Sequence, residues 1–156
     1  MKKIALLVAI LSSSAAAAPA LAQDTSARAT YQELELDSGF SGDPRVIRLD
    51  AGGNINASRL GSPCTGFIAR APDVRLTYNA GSLPLIISVA AGSDTTLVVN
   101  APDGRWYCDD DSGEGPLNPM VRFNGPATGN YEIWVGTFSD TASQPARLHI
   151  SELTSQ

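Results

Sequence analysis

One histidine and two cysteines are all that this 156-residue chain offers to chemistry that needs an imidazole or a thiol. His149 stands alone mid-run in Leu148-His149-Ile150, so a His-Glu-x-x-His metal helix is excluded. No Gly-x-Ser-x-Gly elbow occurs, and no serine stands in a recognisable setting for His149 to serve as its base. Cys64 and Cys108 lack C-x-x-C spacing and have no histidine nearby, which argues against a zinc or reactive-thiol pair. Lysine is missing after position 3, and no apolar run beyond the N-terminus is long enough to span a bilayer as a helix.

The N-terminus itself reads as a secretory signal peptide over residues 1–22. Lys2 and Lys3 precede an apolar stretch from Ile4 to Leu11, and Ala20-Leu21-Ala22 supplies a small-residue cleavage motif. Cleavage there leaves residues 23–156, a length suited to one domain, with no insertion in the membrane and an expected monomeric state. That product keeps nine arginines against sixteen acidic residues, a formal charge near −7. Such a surface repels phosphate backbones and anionic lipids, so nucleic acid is not an expected partner. Export, to a periplasm or beyond the cell, also means that Cys64 and Cys108 are expected to be joined. Closing 44 residues would stabilise the fold by up to about 4 kcal/mol in the chain-entropy description.

Fourteen glycines and ten prolines punctuate short runs rich in β-branched residues, which is an all-β pattern. Strands are expected at 31–36, 45–49, 64–69, 74–79, 85–90, 95–100, 105–108, 119–123, 131–138 and 146–153. Turn chemistry separates them, most plainly at Pro102-Asp103-Gly104 and Thr128-Gly129-Asn130. The near-continuous runs Leu85-Ile86-Ile87-Ser88-Val89 and Thr96-Leu97-Val98-Val99 suit strands covered on both faces, so the fold class is an antiparallel β-sandwich of jelly-roll type. In Tyr131-Glu132-Ile133-Trp134-Val135-Gly136 the alternation puts Trp134 opposite the apolar face. His149 is likewise out of phase with its apolar neighbours and is expected to meet solvent.

The densest chemistry lies in Trp106-Tyr107-Cys108-Asp109-Asp110-Asp111-Ser112-Gly113-Glu114-Gly115. Consecutive ionised carboxylates resist burial, so this loop either stays in water or collects a cation. Asp109, Asp110, Asp111 and Glu114, joined by Asp94 across the hairpin, form a candidate calcium site, since calcium takes six to eight oxygen ligands. A solvated acidic loop is the competing reading. Trp106 and Trp134 are candidates for a stacking surface, against the alternative that they pack over the disulfide. Trp106 and Tyr107 point to opposite faces and are not both expected in one core. Adjacent acids on one loop do not face each other across a glycosidic bond.

Taken in order, Leu85–Val89, Asp94–Val99, Pro102-Asp103-Gly104, the Asp109–Asp111 loop, Pro119–Phe123 and Gly129–Gly136 resemble the bacterial pre-peptidase C-terminal (PPC) domain family, over residues 64–153. The resemblance implies a noncatalytic accessory module and a fold similar to bacterial collagen-binding domains, some of which hold calcium and attach to extracellular polymers. The expectation is therefore an exported binding module, calcium-stabilised, whose partner is an extracellular polymer or a secreted or periplasmic protein. A module that assists or restrains a separate secreted protease is the alternative, and a secreted hydrolase the remote one.

Overall fold

A computed structural model describes residues 23–139 and 141–156, so the signal-peptide reading lies outside the described residues. Eleven strands follow in order: β1 (Gln32–Asp37), β2 (Arg45–Ala51), β3 (Ile55–Asn56), β4 (Phe67–Ile68), β5 (Val74–Asn79), β6 (Leu85–Ala91), β7 (Thr95–Asn100), β8 (Trp106–Asp109), β9 (Met120–Phe123), β10 (Gly129–Thr137) and β11 (Gln144–Ser151). They form two sheets. One holds β1-β5-β10-β4-β3 with β7 and β8 on the other flank of β10, and the second runs β2-β11-β6-β9. This is the antiparallel sandwich that was expected, with one parallel pairing, β1 with β5.

The core between the sheets follows the strand alternation. Ile47 and Leu49 of β2, Leu148 and Ile150 of β11, and Ile87 and Val89 of β6 meet Leu76 and Tyr78 of β5 and Ile133 and Val135 of β10. Aromatic rings continue it edge to face, from Tyr78 to Tyr131, then Phe123, then Tyr107. The Pro102-Asp103-Gly104 turn forms as expected. Gly104 adopts φ of 76°, a region open to glycine, and Asp103 Oδ1 accepts the Arg105 N–H.

A second, smaller core lies on the opposite face of β10. Residues 53–69 form a flap of two short strands and a 3-10 turn (Ala57–Leu60), where continuous strand was expected from 64 to 69. Ala57, Cys64 and Ile68 of the flap bury Val98 and Trp134, with Trp106 and Cys108 packed alongside. The Cys64–Cys108 disulfide pins the flap to β8. Close approach here requires glycine: a Cβ on Gly136 would meet the Phe67 carbonyl oxygen at 2.3 Å.

Strand β10 needs one further device. It pairs with β5 as far as Ile133 and with β4 only at Thr137, leaving the main chain at Val135 between two partners. Asp73 fills that gap: its Oδ2 accepts the Val135 N–H at 2.7 Å, while the Val135 carbonyl accepts the Gly52 N–H. Asp73 is only 3% exposed. Burial pushes its carboxyl up to about 7, against the pull of that hydrogen bond.

Candidate functional site

At the end of β8 the acidic loop is tied to main-chain groups of the loop itself, of β9 and of the C-terminal segment. Asp109 Oδ2 accepts the N–H groups of Ser112 and Met120, at 2.9 and 2.8 Å. Gly113 donates to the Asn118 carbonyl, and Glu114 donates its N–H to the carbonyl of Gln156. Asp94 lies within electrostatic reach of Asp110 and Asp111. Burial and then these two neighbours raise its carboxyl, and burial followed by Asp111 and Asp109 raises that of Asp110. Asp94 Oδ1 is buried without a hydrogen-bond partner.

Asp109 spends one oxygen on two backbone donors, and Glu114 stands exposed. Among the described residues no group of three or more His, Cys, Asp or Glu is arranged to hold a metal ion. Calcium needs six to eight oxygens, so an ion near Asp94, Asp110 and Asp111 would keep most of its water.

The aromatic surface expected from Trp106 and Trp134 requires correction. Trp134 does lie on the face away from the main core, as its alternation indicated, but the flap covers that face and leaves it 0% exposed. Trp106 packs against it with the rings tilted by 49° and their centroids 5.4 Å apart, and is half-buried, with Tyr107 on the opposite side against Phe123. The pair therefore fills the flap pocket and packs beside the disulfide.

His149 is also corrected. It faces outward from β11 opposite Ser88 of β6, yet is 7% exposed, with both ring nitrogens unpartnered. Ser88 Oγ accepts the N–H of Gln156, so the C-terminal segment crosses this face beside the histidine. Burial, and then the charge of Arg147, lower its pKa. An imidazole buried in this way without an orienting partner is poorly placed to act as a general base.

The open surface lies elsewhere, on the side of the sandwich where β1 and β2 each pair with one neighbour only. A cavity of about 680 Å³ is lined there by Tyr31, Arg48, Asp50, Ala91, Pro145 and Arg147. A second, of about 430 Å³, lies against Leu34, Leu36, Val46 and Ile47. Arg48 and Arg147 are directly opposite one another in the β2–β11 register and both are exposed. Neither makes an ion pair among the described residues. Sequence reading missed this site because the two arginines are 99 positions apart, and only strand register unites them.

Fold and site together define a disulfide-pinned, all-β sandwich with a closed, flap-covered face and an open side flanked by arginines. No protein-family model matches the chain, and no curated protein matches it by sequence. Among solved structures it is similar to the pre-peptidase C-terminal domain of collagenase from Bacillus anthracis, at 16% identity and a TM-score of 0.46, covering 80% of this chain and 100% of that one. It is also similar to Aeromonas hydrophila PliG, a periplasmic lysozyme inhibitor of g-type lysozyme, at 16% identity and a TM-score of 0.39, covering 77% of this chain and 96% of that one. The first is a domain of the type that the motif order in the sequence resembles.

Proposed function

We propose that the chain is an exported, noncatalytic binding module whose partner is a secreted or periplasmic protein. The observation that carries this reading is the open side of the sandwich, where the edge strands β1 and β2 lie beside two cavities. The buried, unpartnered state of His149 supports a noncatalytic role. Calcium enters as a loosely held counter-ion at Asp94, Asp110 and Asp111, relieving their mutual repulsion.

The test uses immobilised protein incubated with the exported fraction of its own cells, beside the double variant Arg48→Ala/Arg147→Ala. Specific retention of a protein is expected. Retention on collagen or insoluble polysaccharide alone would replace the protein partner with a polymer, and hydrolysis lost in His149→Ala would overturn the noncatalytic reading.

A further inference from the structure

The register of β2 shows which way its main chain points. Asp50 is opposite Pro145 of β11, and proline has no N–H to donate. In an antiparallel ladder, pairs that exchange both hydrogen bonds alternate with pairs that exchange none. The bonded pairs are therefore Leu49 with Ala146 and Ile47 with Leu148, and the main-chain groups of Asp50, Arg48 and Val46 face the free edge. Tyr31 confirms the direction: its hydroxyl donates to the Asp50 carbonyl and accepts the Asp50 N–H, closing the edge at that point.

The N–H and C=O groups of Arg48 and Val46 have no partner among the described residues. An unpaired edge is a template for another strand unless it is blocked. Here the block is incomplete. Tyr31 stops the edge at Asp50 and Pro44 precedes it at the other end, so the open stretch is short. Across the gap, β1 presents Leu34 and Leu36 together with Gln32 and Glu35, Arg45 stands on the β2 side, and Val46 is 48% exposed.

We propose that the free edge of β2 receives an extended acidic segment of a partner protein as an added strand, its carboxylates set beside Arg48 and Arg147. This rests on the binding-module reading above and names its surface and ligand class. Charge complementarity selects the occupant: two like charges opposite one another are unfavourable, and a carboxylate on the added strand relieves them through the fork geometry that guanidinium groups offer. Main-chain pairing selects a peptide over a free anion, because only an extended chain also satisfies Val46 and Arg48. Alternate side chains of that segment would turn inward against Leu34 and Ile47. Asp50, exposed on the same rim, disfavours an acid at its own level and so confines the carboxylate to the level of Arg48.

The test is amide-resolved NMR titration with the acetylated, amidated peptide Val-Asp-Val-Asp-Val. Its controls carry Lys for Asp, or N-methyl groups on alternate backbone nitrogens. The acidic peptide is expected to shift the amides of Val46 and Arg48 and to bind with Kd below about 1 mM. Both controls should bind at least about tenfold more weakly, as should the acidic peptide with Arg48→Ala/Arg147→Ala. Val46→Pro removes an edge donor that the ladder does not use, and should weaken binding while leaving the circular dichroism spectrum intact. Unmoved amides, or equal binding of the N-methylated peptide, would overturn strand addition. If the peptide fails while the unaltered protein still retains an exported protein, only this docking mode is lost; if the unaltered protein retains none, the module reading falls with it.

Discussion

Replacing Asp73 with Asn should flatten a large part of this protein's pH dependence. Below pH 3.8 the carboxyl is protonated in both folded and unfolded chains and contributes nothing to the slope. Between 3.8 and about 7 the unfolded chain releases its proton while the buried group keeps its own, so stability falls as pH rises; above about 7 both are ionised and the loss is complete. The gap between those values corresponds to about 4 kcal/mol. Asn keeps a carbonyl oxygen for the Val135 N–H and has no proton to lose. Urea unfolding followed by far-ultraviolet circular dichroism at steps from about pH 3.5 to about pH 8.5 measures the difference between wild type and Asp73→Asn. That difference should move by about 4 kcal/mol in favour of the variant as pH rises, more than about 10 °C in Tm for a domain of this size. A difference constant within about 1 kcal/mol across the range would refute the assignment of a buried neutral acid at the gap in β10.

His149 slopes the other way. With its folded pKa lowered, stability is retained above about 6.5 and falls on acidification below it, and His149→Phe should remove that loss in the same unfolding series. Asp110→Asn in low salt should raise Tm slightly, by the equivalent of up to about 1 kcal/mol, and should shrink any stabilisation by calcium over magnesium or chelator; identical melts in all three would remove the counter-ion. Trp134→Ala should cost about 3 to 5 kcal/mol by emptying the flap pocket, measured by urea denaturation, whereas a binding-surface tryptophan would cost little. Cys64→Ser/Cys108→Ser should lose up to about 4 kcal/mol while β10 keeps its pairing to β5 and β7, read by hydrogen exchange.

Legibility in the sequence tracked how local the signal was. Long β-branched runs such as Leu85–Val89 and Thr95–Asn100 announced their strands, and Pro102-Asp103-Gly104 announced its turn, because each signal is carried by adjacent residues. The disulfide followed from the cysteine count. Trp134 and His149 show where the reasoning stopped: period-two alternation assigned each to its face, but what lies over a face is decided by distant segments, the flap in one case and the C-terminus in the other. Two-residue strands such as Ile55–Asn56 carry too little pattern to be seen. Asp73 follows Pro72 and resembles an ordinary turn acid; its bridging role exists only because β5 ends where β10 continues. The Asp94–Asp110 approach was legible as hairpin geometry, while the diversion of Asp109 to backbone donors was not.

The flap also determines how this protein reports on itself in solution. Both of its tryptophans, Trp106 and Trp134, share that one pocket with the sulfur atoms of Cys64 and Cys108. Disulfides quench indole emission at short range, so the native protein should be dim and should brighten on reduction. Its fluorescence is then a gauge of flap closure alone, silent about the β2 edge, and a melt followed by emission that precedes the circular dichroism transition would mark the flap lifting before the sandwich opens.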